Sequence, residues 1–157
     1  MATLTAARAA STFPVGGAGQ ANLLHVAYGV YNMATAASAA DVIEFCKLPA
    51  GATVIGGYLQ GADIDTGTET FDIDIGWAAN GTDSADTDGF GNFGVLSGDA
   101  TAERLPVAGI YVPFVNIIQD TGYKTFAAET KVIGTVVAAA QAGGTGVLKV
   151  VVHYVMA

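Results

Sequence analysis

The segment from Thr70 to Trp77 constrains the fold more tightly than any other. Phe71, Ile73, Ile75 and Trp77 alternate with Asp72, Asp74 and Gly76, and a period of two belongs to a strand with one apolar and one polar face. A slip of one residue would turn two carboxylates inward, so the register is set by the cost of burying charge. The polar face is expected to be wet or paired.

The same alternation, or short runs rich in Val, Ile, Tyr and Phe, recurs along most of the chain. Strands are expected over 24–31, 41–48, 53–60, 107–119, 123–128, 131–140 and 146–156, with a weaker apolar stretch at 93–96. In the first of these, Leu24, Val26, Tyr28 and Val30 alternate with His25, Ala27, Gly29 and Tyr31. Gly56-Gly57 marks a bulge or a close backbone approach, and Pro113 argues for an edge strand or a bulge. Pro49-Ala50-Gly51 and Gln141-Ala142-Gly143-Gly144 read as turns, and 78–92 as a long polar loop. A short helical turn is expected within 97–105, stopped by Pro106. Helical periodicity is nowhere sustained. The expectation is an all-β protein, an antiparallel β-sandwich of eight to nine strands, with the jelly roll as the common eight-stranded form. Residues 1–20 show neither period and read as a flexible or extended N-terminal arm, with a helical turn around Leu4 to Ala10, ahead of a single domain over 21–157.

The chain has 157 residues, 29 of them Ala and 21 Gly, with six basic and fourteen acidic side chains. That length suits one domain with a real core. The longest uncharged stretches, 9–40 and 132–148, are broken by polar residues and glycines, which argues against a membrane span. A net charge of −8 with six scattered cations argues against nucleic acid, which is met by clustered Lys and Arg. Interface cores are depleted in charge, so the low charged fraction points either to surface covered by other copies or by a larger assembly, or simply to a solvated surface rich in small residues. The first residues lack a basic segment followed by an apolar one, so no secretory signal is read, and the expectation is that the protein is made and stays in the cytoplasm, or leaves by lysis or as part of a particle. Cys46 is alone and expected to be buried or half-buried.

No arrangement of residues calls for catalysis or a cofactor. Gly89-Phe90-Gly91-Asn92-Phe93-Gly94 spells a dinucleotide fingerprint, but it follows an acidic loop and opens no βαβ unit. Asp83, Asp86 and Asp88 raise the question of calcium, yet Val95 stands where an EF-hand loop needs a bidentate Glu. Ser97 sits one place late for a nucleophile elbow. His25 and His153 lie in strands at opposite ends of the domain, and two histidines with one cysteine fall short of a zinc set. Asp72 and Asp74, about 7 Å apart along a strand, form a carboxylate pair without an evident cleft and are expected on a solvated face. Asn80-Gly81-Thr82 is a glycosylation acceptor only by spelling.

The stretch Ala39-Ala40-Asp41-Val42-Ile43-Glu44-Phe45-Cys46-Lys47-Leu48-Pro49-Ala50-Gly51-Ala52-Thr53-Val54-Ile55-Gly56-Gly57, with a Leu-Pro-x-Gly turn before Val-Ile-Gly-Gly, resembles small structural proteins of tailed bacteriophages. Phe71-Asp72-Ile73-Asp74-Ile75-Gly76, followed by a small-residue polar loop, is similar as well, and the resemblance spans roughly 22–98. The family is that of capsid decoration, or cement, proteins and other minor virion components, many of them β-sandwich trimers on the outside of an icosahedral shell. The resemblance implies a non-enzymatic virion protein that bridges neighbouring major capsid subunits, assembles as a homotrimer and uses no cofactor, nucleic acid or membrane. Thr12, Phe13, Pro14 and Val15 in the arm are the candidate capsid or subunit contacts. A tail or head-to-tail connector component is the alternative from the same setting. A carbohydrate-binding module is the alternative from another class, with Trp77, Tyr111 and Tyr123 as stacking candidates, although Trp77 continues the face of Phe71, Ile73 and Ile75 and is expected in the core.

Overall fold

A computed structural model describes residues 2–10, 23–96, 110–119 and 122–156. The expected helical turn within 97–105 and the candidate contacts Thr12, Phe13, Pro14 and Val15 lie outside the described residues.

Strand β1 (Thr3–Thr5) and a 3-10 turn (Ala7–Ala9) come first, followed by β2 (His25–Met33), β3 (Val42–Leu48), β4 (Ala52–Gly61) and β5 (Asp72–Trp77). Then come β6 (Asp86–Gly91), β7 (Ile110–Pro113), β8 (Ile118–Gln119), β9 (Gly122–Tyr123), β10 (Thr130–Ala138) and β11 (Gly146–Met156). One sheet has the order β1-β3-β10-β5-β6, the other β2-β11-β4-β7, and β8-β9 is a small ribbon. Apart from β1, which joins β3 in parallel, every pairing in the two large sheets is antiparallel. The eight strands other than β1 and the ribbon follow the winding of a jelly roll, 2-11-4-7 over 3-10-5-6. The fold is thus the all-β antiparallel sandwich that the alternations imply. Among the described residues no helix is long and apolar enough to cross a membrane.

The expected face of β5 is the heart of the core: Phe71, Ile73, Ile75 and Trp77 are all buried, in one cluster with Phe45 of the same sheet and Leu59, Val150 and Val152 of the facing sheet. Burial of each such side chain is worth roughly 1.5–3 kcal/mol. At one end, Phe90 stacks on Phe114 with centroids 5.1 Å apart, and Trp77 leans on Phe90 and Phe126 at 5.1 and 5.4 Å. Cys46 is buried, and burial pushes its thiol up to about 12. Pro113 ends β7 at the sheet's outer edge, where a missing N–H costs no ladder bond. The register of β4 against β11 slips between His153 and Tyr154, beside Gly56-Gly57, and a Cβ at Gly57 would collide with the Phe114 ring. Both expectations from these residues hold.

Several elements differ from expectation. The strand expected over 107–119 is broken within its described part, β7 ending at Pro113 and only the two-residue β8 following, and the strand expected over 123–128 stops at Tyr123, with Thr125 adding only an isolated bridge to Thr53. The stretch 78–92 is not all loop, because β6 pairs with β5 through Ile75–Gly91 and Trp77–Asp86. Residues 93–96 contribute only an isolated bridge, Val95 to Asp72, instead of a strand. His25 and His153 are not at opposite ends of the domain: β2 and β11 are neighbours, with His25 opposite Tyr154 and His153 opposite Val26.

Candidate interaction surfaces

The outer face of the four-stranded sheet is built by lateral pairing. Tyr28 on β2 lies opposite Val151 on β11, Val151 opposite Tyr58 on β4, and Tyr58 opposite Pro113 on β7. The adjoining row is Val30, Lys149, Gln60 and Tyr111. Side chains directly across a ladder share a face, and the opposite face of these strands holds the buried Leu59, Ile110, Val150 and Val152. The outer rows therefore point away from the core. Val26, Tyr28, Val30 and Tyr111 are 54, 43, 44 and 37% exposed. Tyr58 meets Tyr111 at 5.1 Å and His153 edge-on at 6.2 Å. Arg8 caps the β2 margin, its guanidinium 3.8 Å from the Tyr28 ring centroid and donating to the Tyr28 hydroxyl at 2.8 Å. His25 faces the other way and stacks on Tyr154 at 5.3 Å.

The carboxylates lie elsewhere. Asp74 and Asp72 sit on the outer side of β5, and Asp88 of β6 lies near enough for its charge to act on Asp74. Asp74 is not solvated as expected; it is only 8% exposed, because the main chain at Asp86 and Thr87 lies over Gly76 beside it. Burial, reinforced by the charges of Asp72 and Asp88, raises the Asp74 carboxyl to about 6. Burial also raises Asp72, and burial together with a hydrogen bond to Asp88 raises Asp86. Side-chain atoms of Asp72, Asp74 and Thr135 are buried there without a hydrogen-bond partner among the described residues.

Asp83 does not join Asp86 and Asp88 in a calcium loop. Its carboxylate accepts from Lys124 Nζ at 2.7 Å, Asn80 Nδ2 at 2.9 Å and the Ala127 N–H at 3.1 Å. The bonds from Lys124 and Asn80 hold its pKa low. Among the described residues no three His, Cys, Asp or Glu side chains are placed to hold a metal ion. Trp77, Tyr111 and Tyr123 do not form a stacking platform either. Trp77 is in the core with its indole N–H donating to the Ser84 carbonyl at 3.0 Å, Tyr111 is on the outer face of the four-stranded sheet, and Tyr123 lies on the β8-β9 ribbon.

The carboxylate that organises the structure is one that no motif announced. Asp65, 1% exposed, accepts from the N–H groups of Thr70, Gln141 and Ala142 at 2.9, 2.9 and 3.1 Å and from the Thr70 hydroxyl at 2.9 Å. Burial pushes this carboxyl up, but the convergent donors outweigh it and hold the group well below the usual carboxylate range.

No protein-family model matches the chain, and no curated protein matches it by sequence. Solved structures do. A chain in the capsid of Ralstonia phage GP4 superposes with a TM-score of 0.72 at 20% identity, over 99% of both chains. A chain in the capsid asymmetric unit of cyanophage Pam1 gives 0.64 at 23% identity, over 94% of each. A third, in the acidic stable capsid of Helicobacter pylori bacteriophage KHP30, gives 0.54 at 16% identity, over 85% of this chain and 90% of that one. The fold is shared with chains found in phage capsids, end to end. At these identities the likeness is one of fold.

Proposed function

We propose that this chain is a non-enzymatic structural protein of a phage virion, which decorates the outside of an icosahedral capsid and bridges neighbouring major capsid subunits. The observation that carries the reading is the superposition on a chain of the Ralstonia phage GP4 capsid over nearly the whole of both molecules. The resemblance of 39–57 and 71–76 to cement proteins supports the same reading. A homotrimer is the assembly that goes with it; the first residues of the expected arm belong to the sheet through β1, and the segment with Thr12, Phe13, Pro14 and Val15 contacts the shell or a neighbouring copy. Many weak contacts, repeated by symmetry, then stiffen the shell.

Co-sedimentation with undecorated capsids of the encoding phage tests this. Saturable binding at a fixed ratio to the major capsid protein is expected, and absence of binding overturns it. Changing Phe13 and Val15 to serine, which leaves β1 in place, is expected to weaken shell binding; full binding would remove the arm from the proposal.

A further inference from the structure

We propose that the outer face of the four-stranded sheet is the surface through which copies of this chain assemble, each copy turning that sheet toward the symmetry axis. Charge singles out the face. None of the strands β2, β4, β7 and β11 contains an Asp or Glu, whereas the strands of the other sheet carry Glu44, Asp72, Asp74, Asp86 and Asp88. With a net charge of −8 per chain, copies repel wherever carboxylates meet carboxylates. The four-stranded sheet lets them meet without that opposition, and it leaves the carboxylate-bearing sheet outward.

The chemistry of the patch matches a second copy. Apart from Lys149 and Asn32, its exposed residues are β-branched or aromatic, close to the composition of an interface centre, where Tyr and Arg are enriched and acidic side chains are depleted. Its two margins are complementary: Arg8 lies on the β2 side beside Tyr28, and the Tyr58–Tyr111 pair lies on the β7 side. In a closed ring the contact is heterologous, so the β2 margin of one copy meets the β7 margin of the next. A guanidinium then faces aromatic rings, which it binds well when desolvated. The large apolar residues that β2 turns outward are taken out of water in that assembly.

The test is sedimentation of the full chain over a range of concentrations, with no capsid present, so that its outcome is separate from the capsid reading. A closed oligomer is expected. Val151→Asp places a carboxylate at the centre of every face, and Val26→Asp places one near its margin at a position 54% exposed. Each is expected to weaken association by about tenfold or more, with near-ultraviolet circular dichroism confirming the fold. Val137→Asp, at a position 48% exposed on the outside of the other sheet, is expected to leave the mass unchanged. A dimer that these variants dissociate supports the face and overturns the trimer. A wild-type monomer at every concentration overturns the proposal even if it binds shells, and so does an oligomer that both folded variants retain.

Discussion

Gly29 of β2 lies directly against the main-chain carbonyl of Phe45 in β3, so close that a Cβ at position 29 would fall inside the carbonyl oxygen. The two sheets nearly touch at this edge, and only a glycine fits between them. Gly29→Ala forces β2 away from β3 or strains both strands, and overpacking of this kind costs about 1–3 kcal/mol. The expected result is a lowered denaturant midpoint with an unchanged m-value. Val30→Ala, one residue along and facing outward, is expected to change stability much less.

The same contact explains what could and could not be seen in the sequence. On β5 the alternation of Phe71, Ile73 and Ile75 with Asp72 and Asp74 shows both the strand and its buried side, because carboxylates mark the outer one. On β2 the alternation is equally plain, yet neither set is charged and the side is undetermined. Bulk would turn Val26, Tyr28 and Val30 inward. The narrow gap at Phe45 admits only Ala27 and Gly29, so the bulky set faces out. Strand β6 was hidden by its own composition, since Asp86, Asp88, Gly89 and Gly91 are turn residues, and it forms because Phe90 enters the core beside Trp77. Asp65 was illegible for another reason: its donors at Gln141 and Ala142 are 76 and 77 residues away, a separation over which no local spacing carries a signal.

Cys46 offers an inexpensive probe of the core. With its thiol raised to about 12 by burial, almost no thiolate is present at neutral pH, and the thiolate is the reactive form. Labelling by a disulfide reagent at pH 8 is expected to be negligible in the folded protein and complete in denaturant. Rapid labelling under native conditions would mean that β3 does not pack as described.

Asp74 predicts a pH dependence of unusual sign. Its folded pKa, about 6, lies above the ordinary aspartate value of 3.8, so the folded state binds a proton more tightly than the unfolded chain. The stability this contributes is complete below 3.8 and is lost as pH rises through about 6. The penalty at pH 8 is of order 2–3 kcal/mol. Asp74→Asn, nearly isosteric and uncharged, is expected to raise the unfolding free energy at pH 8 and to change it little at pH 4. Chemical denaturation of both proteins at the two pH values measures this, and equal shifts at both would show that Asp74 does not titrate in the folded protein.

Asp65 predicts the opposite dependence. Its carboxylate collects the N–H groups of Thr70, Gln141 and Ala142, so it ties the start of β5 to the turn between β10 and β11. The folded pKa lies below the unfolded value, and the stabilisation is therefore present above the ordinary carboxylate range and lost as pH falls through it toward the lowered folded value. Asp65→Ala leaves these donors facing a void and is expected to destabilise at pH 7 more than Asp65→Asn, whose amide oxygen still accepts in place of one carboxylate oxygen. Hydrogen exchange at Gln141 and Ala142 gives the local readout. Both amides are expected to lose protection in Asp65→Ala while those at the centre of β11 keep theirs, since the latter are held by pairing with β2 and β4 on either side. Retained protection at the turn would show that Asp65 is a passenger in a turn held by other bonds.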